Sequence, residues 1–195
     1  MHVDPVPHLF WITSRAAGIS ALVLASLSVC LGLMMSTRVA GGVRRPDLRV
    51  LHETLALSAI VAIAVHGAAL LGDGYLHPSV LDLSIPFVSG YKTAWTSIGV
   101  LSGWGVALLG LSFYYRERIG AARWRRLHRF TALAWLLGLE HSLGEGTDAG
   151  RLWFLAMTAT VALPALALLL VRARLAVRGA SPPRRLALDR VPPAN

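Results

Sequence analysis

Five apolar segments, each close to the length of a membrane span, constrain the fold of this chain more than any other feature. A helix needs about 20 mostly apolar residues to cross a bilayer, and a spanning backbone satisfies its own polar groups only as a helix or a closed barrel. Hydrophobic residues make up 55% of the 195 residues, and charged residues only 15%. The sequence predicts an all-α, polytopic transmembrane bundle with the spans Trp11–Met35, His52–Leu71, Ala94–Tyr115, Leu127–Leu143 and Leu152–Val171.

These spans divide the chain into three predicted parts. Residues 1–10 form an outer N-terminal segment, residues 11–174 the transmembrane domain, and residues 175–195 a basic cytoplasmic tail. The tail is rich in proline and arginine, a composition typical of disorder. No GxGxxG or P-loop motif is present, so we expect no nucleotide-binding domain. The lone Cys30 excludes an internal disulfide and a four-thiolate metal cluster.

The net charge of +9 follows the loops rather than one basic domain. Arginine is frequent after the first span, between the third and fourth spans, and in the tail, whereas the other two loops hold only Lys92 and Arg151 as basic residues. Cationic loops stay on the cytoplasmic side of a membrane. We therefore predict a multi-pass protein of a bacterial plasma membrane, with its N-terminus outside and its C-terminus inside. Its basic face suits anionic lipid, and no nucleic-acid partner is expected.

Four histidines lie within or at the ends of two predicted spans: His52 and His66 on the second, His128 and His141 on the fourth. An imidazole in hydrocarbon is costly, so such residues are candidates for function. His52 and His66 are 14 residues apart, which on a helix is about 21 Å of rise with nearly the same facing. Both spans run from inside to outside, so His52 matches His128 in depth, and His66 matches His141. The pattern predicts two stacked metal cofactors, for which b-type haems held by paired imidazoles are the natural candidates.

The spacing of the second histidine pair is less regular. His128 and His141 are 13 residues apart, and on an ideal helix they miss a shared face by about 140°. Either a tightened 3₁₀ stretch near Gly138 or imidazoles that enter from opposite edges of one groove would reconcile this spacing with two stacked cofactors.

Three arginines on the predicted cytoplasmic side are candidate partners for the propionates of the inner haem, as charge-assisted donors. They are Arg49, Arg126 and Arg129. Each serves equally well as a positive-inside signal alone, and the sequence leaves both interpretations open.

Three short motifs resemble the ferric reductase-like transmembrane domain family. They are RWRRLHR at Arg123–Arg129, LHxxL at Leu51–Leu55 and HSLGEGTD at His141–Asp148. The resemblance extends from about Trp11 to Arg174. The family includes NADPH oxidases, metalloreductases and the haem subunit of a bacterial methionine sulfoxide reductase system.

The resemblance implies that His52 and His128 bind an inner haem b, and that His66 and His141 bind an outer one. The chain differs from the larger relatives in two respects: it carries no FAD or NADPH site, and it has five predicted spans instead of six.

The expected function is transmembrane electron transfer by a di-haem b cytochrome with a separate electron donor. The donor would be a flavoprotein reductase that docks on the arginine loop Arg116–Arg129, or a quinol. The acceptor would be ferric ion, a quinone or an outer protein. Two alternatives stay open: a non-redox membrane anchor or transporter whose histidines carry protons or metal ions, and a haem sensor without turnover.

Overall fold

The computed structural model describes residues 8–37 and 45–180, and all regular structure within these ranges is helical. The α-helices are α1 (Leu9–Thr37), α2 (Arg45–Leu70), α3 (Val80–Ser84), α4 (Thr93–Leu111), α5 (Arg116–Ile119), α6 (Ala121–His128), α7 (Thr131–Gly144) and α8 (Leu152–Ala180). A 3₁₀ turn, Ser112–Tyr115, joins α4 to α5. The prediction of an all-α bundle is confirmed.

Four helical stretches among the described residues are long and apolar enough to cross a membrane. They are Leu9–Thr37, Pro46–Leu70, Thr93–Ile119 and Leu152–Val177. Large apolar side chains on these helices face outward, for example Val61 at 62% exposure and Leu163 at 60%. Helices that are apolar all round belong in a membrane or a large core, so the membrane character predicted from the sequence is confirmed.

The fourth predicted span, Leu127–Leu143, is not one continuous helix. α6 ends at His128, and α7 begins at Thr131 and contains 14 residues. A helix of that length rises about 21 Å, less than the hydrocarbon core of about 30 Å. The count of five crossings and the orientation in the membrane therefore stay predictions.

Helix α1 is the centre of the packing. It contacts α2, α7 and α8, while α4 packs against α7 and α2. Trp135 of α7 lies at the middle of the bundle beside Ala162 and Ala165 of α8. Its indole Nε1 donates a hydrogen bond of 3.0 Å to Ser26 Oγ on α1, as a buried tryptophan N–H requires. The small residues facing this ring let the helices approach closely.

The predicted domain boundaries differ slightly from the helix ends. α1 begins at Leu9, and α8 continues to Ala180, beyond the boundary predicted at residue 174. Most of the predicted outer N-terminal segment, the basic positions Arg38 and Arg44, and the rest of the predicted disordered tail lie outside the described residues.

Candidate functional site

The structure brings together the four histidines in the two pairs that the sequence predicts. The ring centres of His52 and His128 are 6.3 Å apart, with the ring planes at 87°. Those of His66 and His141 are 6.4 Å apart, with the planes at 71°. The histidines of α2 pair in chain order with His128, at the end of α6, and His141, on α7. The two segments therefore run in the same direction, and one pair lies toward each end of the bundle.

An interruption between α6 and α7 allows His128 and His141 to pair with the two histidines of α2 in spite of their irregular spacing. The helix breaks at Arg129 and Phe130, directly after His128. The break removes the fixed angle that a continuous helix would impose on His128 and His141. α7 is a regular α-helix through Gly138, so the first of the two alternatives, a tightened 3₁₀ stretch there, is wrong. The irregularity lies about two turns earlier.

Two serines of α1 hold the histidines of α2 in the same way. His66 Nδ1 lies 2.8 Å from Ser14 O and 3.0 Å from Ser14 Oγ, and the Ser14 hydroxyl donates to His66 O at 3.2 Å. His52 and Ser28 repeat these contacts at 2.8, 3.1 and 3.2 Å. The two helices are therefore antiparallel.

Backbone carbonyls of α4 hold the other two histidines. His141 Nδ1 lies 2.9 Å from Trp95 O, and His128 Nδ1 lies 3.4 Å from Leu109 O. The Trp124 ring also stacks on His128, with centres 4.9 Å apart and planes at 26°.

All four imidazoles therefore place the same ring nitrogen, Nδ1, next to a backbone carbonyl. A carbonyl oxygen only accepts hydrogen bonds, so we assign the proton of each neutral ring to Nδ1. This leaves the lone pair of each Nε2 available to a metal. Metal-ligating histidines in proteins commonly donate their other ring N–H to a carbonyl in this way.

The separation of the paired rings fits a shared metal. A metal that is bound by two imidazole nitrogens, each about 2.0 Å away, separates the ring centres by about 6 Å. Both pairs have this separation. Among the described residues no group of three or more His, Cys, Asp or Glu side chains is placed to hold a metal ion, so each candidate site consists of two imidazoles.

Glycines face three of the four rings. A Cβ added at Gly18 would lie 3.1 Å from the His66 ring, and one at Gly32 would lie 3.2 Å from His52. At Gly99 the added atom would lie 2.6 Å from His141. Any side chain at Gly99 would displace that ring, so the close approach of α4 to His141 depends on this glycine.

A cavity of about 730 Å³ opens at the His66–His141 pair between α1, α2, α4 and α7. Both imidazoles, Gly18, Gly99 and Trp135 line it. Its volume is within the range of about 300–1,000 Å³ that is typical of cofactor and ligand sites. The pair therefore has room beside it for a flat organic group.

One arginine on the cavity wall was not among the candidates from the sequence. Arg15 of α1 donates two hydrogen bonds, at 2.5 and 2.6 Å, to the carboxylate of Asp148, which follows α7. Both residues line the cavity. The sequence feature that could have identified Arg15 is its position inside the first predicted span, Trp11–Met35, where a charge is costly without a partner.

A carboxylate also touches one of the paired imidazoles. Glu145 Oε2 lies 3.1 Å from His141 Nδ1, yet it has no hydrogen-bond partner, because the Nδ1 proton points to the Trp95 carbonyl. Thr96 donates to the other oxygen, Oε1, at 2.9 Å. Glu145 was missed from the sequence, although it stands four residues after His141 and helical residues at that spacing are neighbours.

The short helix α3 contributes to the same cavity wall through Asp82. Its N-cap is Ser79, whose hydroxyl and backbone N–H both donate to the Asp82 carboxylate at 2.7 Å. These hydrogen bonds hold the pKa of Asp82 below its ordinary value. The capping box fixes the start of α3 in the loop between α2 and α4.

The predicted propionate partners lie on the surface near the other histidine pair. Arg49, Arg126 and Arg129 are all exposed, and their role toward a cofactor stays a prediction. Arg172 of α8, which the sequence did not single out, lies within electrostatic range of His128 and Arg129.

Comparison with known proteins gives no family assignment, since no protein-family model, no curated protein and no solved structure matches this chain. The resemblance to the ferric reductase-like family stays a prediction that rests on the three motifs and, above all, on the four histidines.

Proposed function

We propose that the protein is a membrane di-haem b cytochrome that moves electrons across the bilayer. The observation that carries this proposal is the arrangement of the imidazoles: two facing pairs with centres 6.3 and 6.4 Å apart, each ring with Nδ1 on a carbonyl and Nε2 available.

In this proposal His52 and His128 hold the inner haem, and His66 and His141 hold the outer one. When bound, haem b with two imidazole ligands supplies one-electron transfer without an open coordination position. The carbonyls of α1 and α4 fix the tautomer and raise the basicity of the ligands. Burial within apolar helices excludes water and helps to set the potential.

Arginines at the two ends of the bundle would balance the carboxylates of the cofactors. Arg15 lines the cavity at the His66–His141 pair. Four arginines would balance the charge of the inner haem: Arg49, Arg126, Arg129 and Arg172. Charge-assisted hydrogen bonds from guanidinium groups are the strong ones. We expect Arg15 to exchange part of its contact with Asp148 for a propionate.

The proposed path runs from the basic, cytoplasmic end to the end that holds His66 and His141. A flavoprotein reductase or a quinol would supply electrons near the exposed arginines of α5 and α6. Ferric ion, a quinone or an outer protein would accept them. This orientation and a bacterial plasma membrane follow from the charge of the loops.

A difference spectrum, dithionite-reduced minus oxidised, of the purified protein tests the proposal, with haem counted per chain. We expect two haem b per chain. His8→Ala is the matched control, because His8 is an exposed histidine directly before α1 that does not line the cavity, and its loss should leave both haems. A folded but colourless protein from haem-replete cells would overturn the proposal.

A second candidate function is proton or cation transport, and one observation favours it. Two carboxylate oxygens on the cavity wall, Asp73 Oδ2 and Glu145 Oε2, are buried without a hydrogen-bond partner. Ionisable groups inside membrane proteins often mark ion pathways. Haem-independent ion flux in vesicles that disappears in Glu145→Gln would favour this function over electron transfer.

A further inference from the structure

The contact between α1 and α2 contains one arrangement twice. Ser14 and Gly18 face His66, and Ser28 and Gly32 face His52. The serines, the glycines and the histidines are each 14 residues apart. Corresponding distances in the two copies agree within 0.1 Å.

The hydrogen bonds in each copy are reciprocal. The imidazole Nδ1–H is shared between the carbonyl and the hydroxyl oxygen of the serine, while the serine hydroxyl donates its own proton to the backbone carbonyl of the histidine. Each serine therefore fixes the ring and the histidine backbone together. A hydroxyl that served helix packing alone would bond within its own helix, as Ser20 Oγ does to Ala16 O at 2.9 Å.

We propose that Ser14 and Ser28 are positioning residues that set, independently, the redox potentials of the groups held by His66 and His52. This inference rests on the proposed function. The serines act through the imidazoles, because each hydroxyl contacts the ring nitrogen opposite the one that would bind metal.

The direction of the effect follows from ligand basicity. A second acceptor on Nδ1–H makes the imidazole more electron-donating, and a more donating ligand stabilises the oxidised iron. Loss of the hydroxyl should therefore raise the midpoint potential of one haem. The ring would keep its bond to the serine carbonyl, 2.8 Å in both copies, so we expect the haem to remain bound.

The experiment compares Ser14→Ala and Ser28→Ala by redox titration and low-temperature EPR of the purified holoprotein. The His141→Ala and His128→Ala variants assign the two potentials, since each should lack one haem. We expect Ser14→Ala to change the oxidised-to-reduced ratio of the outer haem about threefold at a fixed potential, or about 28 mV at 59 mV per tenfold. Ser28→Ala should do the same for the inner haem alone.

Three further variants separate tuning of the potential from general destabilisation. Ser20→Ala removes a hydroxyl from the same helix and should change neither potential. Ser14→Thr and Ser28→Thr keep the hydroxyl and should restore the wild-type potentials and EPR g-values. If an alanine variant loses its haem, cysteine at that position, a weaker hydrogen-bonding group, should give a smaller upward shift.

Unchanged potentials in both alanine variants, or equal shifts of both haems in either one, would overturn this inference while leaving the di-haem proposal in place. A wild-type potential in the cysteine variant would also overturn it. A colourless protein would overturn the proposed function, and this inference with it.

Discussion

Arg15 and Asp148 form a two-bond ion pair that ties the beginning of α1 to the segment between α7 and α8. The guanidinium also lies over the Trp11 ring, 5.1 Å from its centre. The two partners are unequally buried, since the Arg15 side chain is 36% exposed and the Asp148 side chain only 9%. This inequality decides which partner is more costly to remove.

We expect Arg15→Met to destabilise the protein more than Asp148→Asn. Removing Arg15 leaves a buried carboxylate without its partner, which costs about 3–5 kcal/mol for a fully buried pair. Removing the charge of Asp148 leaves Arg15, whose long and partly exposed side chain near the beginning of α1 can extend its charge to the membrane interface, and we expect about 1 kcal/mol, as for exposed pairs. Thermal unfolding in detergent measures both variants.

The double variant Arg15→Met/Asp148→Asn is the control for this prediction. It removes both charges and should recover part of the stability that Arg15→Met loses. Equal losses in the two single variants would show that the burial of Asp148 does not govern the pair.

The second prediction concerns which histidines share a haem. His66→Ala and His141→Ala should each remove the same single haem, because each empties one side of one iron. His52→Ala and His128→Ala should remove the other. Haem content per chain and redox titration of the four variants provide the measurement, and a shared phenotype of His66→Ala and His128→Ala would contradict the pairing.

The third prediction uses the glycine of α4 that faces His141. A methyl group at Gly99 would lie 2.6 Å from the His141 ring, so Gly99→Ala should displace this ligand and reduce outer-haem content severalfold. Gly74→Ala is the control, since a Cβ at Gly74 meets nothing within 4 Å and Gly74 does not line the cavity. Full haem content in Gly99→Ala would mean that the helices move apart at little cost.

Much of this architecture is accessible from the sequence because it depends on length and period. Apolar runs of about 20 residues predict spans, and the interval from His52 to His66 is close to a whole number of helical turns. The depth match of His52 with His128 then follows from counting spans.

The angle between His128 and His141 is not accessible in the same way. It depends on the break at Arg129 and Phe130, and neither residue is a proline or glycine that would mark a break. Ser14 and Ser28 were also missed, because serines within a helix usually bond to their own helix. Only the antiparallel register of α1 on α2 identifies their partners.

The fourth prediction concerns orientation in the membrane. Cysteine at Arg123, which is exposed on α6, should be shielded from an impermeant thiol reagent in intact cells, whereas cysteine at Tyr75, which is 87% exposed in the loop after α2, should be labelled. A Cys30→Ala background removes the native thiol. Labelling of Arg123→Cys from outside would reverse the inner and outer assignments.

The last prediction concerns the electron donor. Because no nucleotide-binding motif is present, the purified chain should not oxidise NADH or NADPH, and an added flavoprotein reductase should restore nicotinamide-driven haem reduction.

If the donor docks on the exposed arginines of α6, the reduction of haem by the reductase should slow with salt, since the Debye length falls from about 10 Å at 0.1 M to about 3 Å at 1 M. Charge reversal at Arg123 and Arg125, which are exposed and have no proposed contact with a cofactor, should slow haem reduction severalfold without loss of haem. Stopped-flow reduction measures the rate, and reversal at Arg151, an exposed arginine at the opposite end of the bundle, is the control. Insensitivity to both salt and charge reversal would favour a quinol from the membrane as donor, and reduction by NADPH with the pure chain would reveal a nucleotide site on this protein.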